Sequence, residues 1–410
     1  MDYQQQINVP MSLPDITDKE REAVAKVMAT NYLSMGPYVK AFEESFCKFT
    51  GAKHAAAVNS GTAGLHLCVQ AAGWHDGDRV ITTPFSFVSS TNVLLYERIT
   101  PIFVDAEPLT GNIDTVQLKE AVTDLMSSEA AAAKWLPPKG DRGGELKGIL
   151  AVDVFGQPAD YDAIREAAAP YGLPIIEDSC EALGAMYKGR HAGLLGDMGV
   201  FAFYPNKQIT TAEGGLVVTN DDRAAAMVRS LRNQGRAEGD TWLAHTYLGY
   251  NYRMDELSAA LGTVQMSRID ELIRNRAQVS AWYREELSDI DAIELPHTAA
   301  TTTRDSWFVY VIRLKDAERR NEVSSKLKAL GIPVRPYFSP IHLQPYMQER
   351  FGYEPGRFPV TEDMDRAERR DGGVRRGGFG GGNRGRGGEG NHAGNDGGRA
   401  LEDLIDKLNK

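Results

Sequence analysis

Apolar and polar positions along the chain fall into two recurring patterns. Behind Thr17-Asp18-Lys19-Glu20, Val24 and Val27 recur at about one helical turn. The Thr and Glu three apart form a capping-box pattern, which predicts a helix over 17–29. A second helical pattern covers 39–49, with Phe42 and Phe46 on one face and Gly51 as its stop. Beyond it the chain alternates. Residues 55–58, 79–82, 100–104, 149–155, 173–177, 200–203 and 215–219 read as short buried strands. Residues 60–72 and 161–169 between them read as helices. Strands alternating with helices predict an α/β fold, a mostly parallel sheet covered by helices on both faces.

The pattern then changes. Residues 126–145 mix Ala, Pro, Gly and charge and read as an insertion or surface loop. A long helical pattern runs over 255–286. Residues 306–314 read as a strand, with Trp307, Val309 and Val311 alternating against Phe308, Tyr310 and Ile312. A helix over 319–330 and a strand over 332–337 follow. This predicts a large domain over 1–265, with an N-terminal arm, and a smaller α+β C-terminal domain over 266–370. Residues 371–399 are dominated by Gly, Arg and Asn, with Phe379 as the one aromatic, and cannot bury enough apolar surface to fold. Residues 400–410 return to a helical pattern, with Leu401, Leu404, Ile405 and Leu408 on one face.

Composition narrows the function classes. With 46 basic and 56 acidic residues the 410-residue chain carries a net charge of −10, which disfavours nucleic acid and anionic membranes as general partners. The three cysteines, Cys47, Cys68 and Cys180, are far apart, which argues against a metal site or disulfide framework and suits a reducing compartment. The first ten residues are polar, so no signal peptide is expected. No apolar run reaches the ~18 residues of a membrane span. The expectation is a cytoplasmic protein.

Lys207 is the first candidate for chemistry. A lone lysine is ordinarily a solvated surface charge, but this one leaves the strand at 200–203 on a loop followed by Glu213-Gly214-Gly215. Asp178 ends another strand, at the carboxyl edge where open α/β sheets bind ligands, although an aspartate there also serves as a turn cap. Ser60-Gly61-Thr62 opens a helix, whose N-terminal amides suit a phosphate; many ordinary helices start this way too. Phe87 follows the strand at 79–82 and offers a ring for stacking or for core packing.

Taken together these residues resemble the DegT/DnrJ/EryC1/StrS family of pyridoxal-phosphate (PLP) dependent nucleotide-sugar aminotransferases. The resemblance runs from about residue 33 to about 365. It is carried by Gly36-Pro37-Tyr38-Val39-Lys40-Ala41-Phe42-Glu43, Asn59-Ser60-Gly61-Thr62-Ala63, Phe155-Gly156-Gln157-Pro158, Glu177-Asp178-Ser179, Gly196-Asp197, Phe203-Tyr204-Pro205-Asn206-Lys207 and Gly249-Tyr250-Asn251-Tyr252-Arg253-Met254. It implies the PLP-dependent transferase fold type I, with the large domain binding the cofactor. It implies that Lys207 forms a Schiff base with PLP and later shuttles a proton. Asp178 would pair with the pyridine nitrogen, Phe87 would stack on the ring, and Gly61 and Thr62 would cradle the phosphate. Asn251 would reach the phosphate in a neighbouring subunit, making a homodimer with shared active sites. An amino acid, usually glutamate, would leave its amine as pyridoxamine phosphate, and the amine would pass to a keto group on a nucleotide-linked sugar. His342 and Arg253 are the substrate-side candidates.

Some positions depart from the family pattern. Ala202 stands five before the lysine, where serine commonly donates to the phosphate. Glu181 stands three after Asp178, where His or Gln is common, and would alter the ring's electronics if it faces the cofactor. A dehydrating offshoot carries histidine at the lysine position; Lys207 favours transamination. A PLP-dependent sugar dehydratase, and a non-catalytic PLP-binding regulator, stay open as alternatives. Arg376-Gly377-Gly378-Phe379 and Arg386-Gly387-Gly388 are similar to RGG repeats of RNA-binding tails. An unstructured insertion or a frameshifted reading accounts better for an abrupt change within family sequence. The strand expected to close the small domain is missing there.

Overall fold

A computed structural model describes residues 10–316 and 319–365. The Gly/Arg-rich stretch at 371–399 and the helix expected over 400–410 lie outside the described residues.

Seven strands form the central sheet: β1 (His54–Val58), β2 (Arg79–Thr82), β3 (Thr100–Phe103), β4 (Leu146–Val152), β5 (Ile175–Asp178), β6 (Met198–Ala202) and β7 (Gly215–Thr219). Their spatial order is β1-β7-β6-β5-β4-β2-β3. β7 pairs antiparallel with both its neighbours, and every other pairing in this sheet is parallel. The carboxyl ends of the other six strands therefore share one edge, and β7 begins there with Gly215.

Alternating side chains feed cores on both faces of the sheet. Leu150, Val152 and Ile176 enter one core with Leu65 and Leu67 of α3 (Gly61–Ala71) and Val93 and Leu94 of α4 (Ser89–Tyr96). Ile149, Ala151 and Ile175 enter the other, with Leu118 of α5 (Thr115–Ser127) and Ile164 of α6 (Tyr161–Ala168). A third cluster joins β1, β6 and β7 to Phe42 and Phe46 of the helix Pro37–Thr50. The α/β class with a mostly parallel sheet is thus as the sequence predicts. The capping box at Thr17 and Glu20 is present, and the αL residue Gly51 ends the second helix.

Several expectations need correction. The helical pattern over 255–286 is two helices, α7 (Glu256–Ser267) and α8 (Ile269–Leu287), broken at Arg268. That side chain turns into an ion-pair cluster with Asp15 and the buried Glu20, at 3.0 and 2.9 Å. β4 stops at Val152 rather than at 155, because Phe155 adopts φ 62 in a turn. The region 126–145 is the expected connection between two core units; it holds the short helix Glu129–Ala132, and buried Arg79 ties Asp141 to the sheet at 2.6 Å. Of the strand expected over 306–314 only Arg313–Leu314 pairs, with Ile293–Glu294, and 332–337 forms no strand. A pleated segment becomes a strand only against a neighbour that completes its ladder. Among the described residues neither segment has one along its length.

Candidate active site

The chain turns leaving β1, β2, β4, β5 and β6 meet at the carboxyl edge of the sheet. Asp178 ends β5, opposite Val152 and Val200. Its carboxylate is buried, accepting from the Ser90 hydroxyl at 2.6 Å and the Cys180 amide at 3.3 Å. With its one hydrogen given to Asp178, the Ser90 hydroxyl accepts from the Ser86 hydroxyl at 2.8 Å, so it joins the β2 turn to Asp178. The Phe87 ring itself is 62% exposed, open to a flat ligand rather than packed in the core.

Lys207 lies on the turn after β6, its amide bonded to the Tyr204 carbonyl at 2.9 Å. Its Nζ sits 3.8 Å from Glu181 Oε1 and 4.1 Å from the centre of the Phe308 ring. Glu181 also accepts from the Phe155 amide at 3.0 Å, which helps hold the left-handed turn of that residue. Burial pushes the Glu181 carboxyl up to about 7, against the lowering effect of Lys207 and with a further raise from Asp178. Glu181 thus faces the amine, and Asp178 and Lys207 leave the neighbouring strands β5 and β6 at the same edge of the sheet. Beneath them Asp153 and Glu177 are fully buried, and burial raises both carboxyls.

The anion cradle is the start of α3. Ser60 Oγ caps the helix by accepting from the Ala63 amide at 3.0 Å. Among the described residues the Gly61 and Thr62 amides take no partner, as expected of the first turn of a helix. Contacts here are tight. A Cβ on Gly61 would stand 2.6 Å from Ala202 Cβ and 3.0 Å from Cys180 Sγ, and one on Gly215 would stand 2.5 Å from the Ser60 backbone. Only glycine lets α3 approach the β6 end this closely.

The remaining candidates divide. Asn251 is exposed beside this edge, its carbonyl accepting from Asn59 Nδ2 at 3.4 Å. Arg253 donates to Asn233 Oδ1 at 3.1 Å. His342 is fully buried, 3.0 Å from Glu362 and packed against Phe358 and Tyr353. Its ring has no exposed surface in this chain. The sequence reading missed Ser90 and Phe308, because nothing in their local pattern marks contacts made across the fold.

The DegT/DnrJ/EryC1/StrS aminotransferase family model matches residues 14–368. The chain belongs to this family. It is 36% identical over 341 residues to the GDP-perosamine synthase of Caulobacter vibrioides, covering 82% of this chain and 86% of that one. It is 34% identical to the spore coat polysaccharide biosynthesis protein SpsC of Bacillus subtilis, covering 86% and 88%. Among solved structures, DesV of S. venezuelae in complex with a ketimine intermediate superposes with TM-score 0.75 at 30% identity, covering 85% and 87%. Helicobacter pylori PseC, an aminotransferase of pseudoaminic acid biosynthesis, superposes with TM-score 0.76 at 27% identity, covering 87% and 91%. This family member is a PLP-dependent aminotransferase, and its fold is that of the PLP-dependent transferases. The edge fits the cofactor on three observations: a buried carboxylate, an exposed ring, and a helix start that only glycine could bring so close. No helix among the described residues is long and apolar enough to cross a membrane.

Proposed function

We propose that the enzyme moves an amino group from an amino acid, glutamate, to a keto group on a nucleotide-linked sugar, with Lys207 as the lysine that joins the cofactor. The observation that carries this reading is the placing of the Lys207 amine 3.8 Å from Glu181, in the turn that follows Asp178, at the carboxyl edge of the sheet. PLP bound there supplies an aldehyde that takes up the amine and a ring that accepts the electron pair left at the substrate carbon.

The chain's own residues do the rest. Asp178, fixed by Ser90, would keep a proton on the ring nitrogen. Ser60, Gly61 and Thr62 would hold the phosphate at the helix start, and Phe87 would offer its ring for stacking. Lys207 moves the proton at the substrate carbon, with Glu181 and Phe308 limiting where its amine travels.

A homodimer with shared active sites is part of this reading. Trp242, Leu243 and Leu248, in the loop before Asn251, are 78%, 83% and 89% exposed, an apolar surface suited to a second copy. Asn251 of the partner subunit would then reach the phosphate, and Arg253 stays a candidate on the substrate side. The two-domain division at 265 and 266 and a cytoplasmic location belong to the same reading; the three cysteines are free thiols. The test is to add glutamate to the PLP-loaded enzyme and follow the visible spectrum, then offer a panel of nucleotide keto-sugars. Loss of the PLP band with glutamate, restored by a keto-sugar, is the expected result. A band unmoved by any amino acid contradicts the proposal.

A further inference from the structure

One side chain gathers three backbone carbonyls from two distant segments. Arg276 of α8 donates from Nη2 to the Lys207 carbonyl at 2.9 Å. Its Nη1 donates to the Trp307 and Phe308 carbonyls at 3.1 and 3.3 Å. Among the described residues no carboxylate pairs with this guanidinium, and burial lowers its pKa. A cation sunk among carbonyl dipoles, without a counter-ion, is held there for geometry rather than for charge neutralisation.

The two segments it joins are those that meet at the Lys207 amine. One carries Lys207, and the other carries the ring lying 4.1 Å from its Nζ. Residues 305–312 form no ladder, so no strand register fixes Phe308. Ser306 adds further anchors: its amide donates to the Gly156 carbonyl at 3.2 Å, its hydroxyl donates to the Glu181 carbonyl at 3.0 Å, and Gln208 Nε2 donates to that hydroxyl at 2.8 Å. Arg276 itself stands on a firm base, since Ile269, Leu272 and Ile273 of the preceding turns lie in the core with Phe42 and Phe203. The planar guanidinium suits the task, because its two terminal nitrogens point in fixed, different directions, whereas the ammonium of lysine is a single point.

We infer that Arg276 is a positioning residue, which sets the Lys207 amine against the Phe308 ring and thereby its readiness to join the cofactor. This inference rests on the reading of Lys207 as the cofactor lysine.

The test uses the full chain in four forms: unaltered, Arg276→Gln, Arg276→Lys and Lys207→Ala. PLP binding is measured by equilibrium dialysis. The growth of the visible band that marks PLP joined to a lysine is followed after mixing. Arg276→Gln is expected to bind PLP within about threefold of the unaltered chain, because the phosphate and ring contacts are untouched. Its band should grow about ten- to a hundredfold more slowly, as expected of a reacting group displaced by up to an ångström. Its kcat should fall while KM for the amino acid holds, and Arg276→Lys should lie between. Band growth and kcat at unaltered rates in Arg276→Gln overturn the inference. Should that variant fail to fold by circular dichroism, Arg276→Lys decides: slowed growth supports the role and normal growth overturns it. A band in Lys207→Ala would instead overturn the reading of Lys207 itself.

Discussion

The ring of Phe308 lies over the amine of Lys207, its centre 4.1 Å from Nζ, while Glu181 approaches the same nitrogen at 3.8 Å. The candidate catalytic amine is thus held between a π face and a carboxyl.

Removing the ring should free that amine to wander. A cation–π contact contributes about 1 kcal/mol, equivalent to about fivefold in a rate. Phe308→Leu should therefore slow PLP band formation about fivefold while PLP affinity by dialysis holds. A band that grows at the unaltered rate would show that the ring does not hold the amine.

Glu181 should leave a mark on stability. Its carboxyl titrates near an ordinary 4.5 when unfolded and at about 7 in the folded chain. Between those values the native state holds a proton that the unfolded state has lost. Native stability therefore falls as pH rises from about 4.5 through about 7, by an upper bound on the order of 3 kcal/mol. Urea unfolding of cofactor-free chain at pH 5 and pH 8 should show a smaller drop in Glu181→Gln than in the unaltered chain. Equal drops would place the pH dependence elsewhere, with Asp153 and Glu177 the next groups to test.

Gly61 should tolerate no side chain. In Gly61→Ala the new Cβ would meet Ala202 Cβ at 2.6 Å and Cys180 Sγ at 3.0 Å, and neither neighbour has a flexible end to swing aside. Overpacking of this kind costs about 1–3 kcal/mol, and PLP affinity should fall as α3 is pushed back. Adding Ala202→Gly should recover part of both losses. If thermal melting and PLP dialysis both leave Gly61→Ala unchanged, the close approach of α3 to β6 is wrong.

Ala202 invites the opposite experiment. Ala202→Ser places a hydroxyl beside the Gly61 amide, where the phosphate would sit. A hydrogen bond to a charged group contributes about 1.5–3 kcal/mol, so PLP should bind about tenfold tighter or better. Dialysis showing no gain would mean that the phosphate is held elsewhere.

Much of this architecture is legible in the chain itself. Buried strands announce themselves as short apolar runs, so each of the seven sheet strands overlaps a run the pattern picks out, with ends shifted in β4, β5 and β6; Ile149–Leu150 and Val217–Val218 are among the clearest. Lys207 and Asp178 are legible too, because each leaves the end of such a run. Ser90 is not, since its hydroxyl meets a carboxylate 88 residues away and its own surroundings look like any helix start. Arg276 is hidden for the same reason: on a helix rich in charge, one arginine that turns inward looks like those that turn out. The strands expected at 306–314 and 332–337 failed differently. Alternation shows which faces a segment could bury, but not whether a neighbour is present to complete its ladder. Nor does the local pattern around His342 show that its ring packs against Phe358 and Tyr353.

The most direct test is to load the chain with PLP, reduce it with borohydride, and map the modified peptide by mass spectrometry. One phosphopyridoxyl group is expected, on Lys207, and none in Lys207→Ala. Modification at another lysine, or an unaltered level of labelling in that variant, would contradict it.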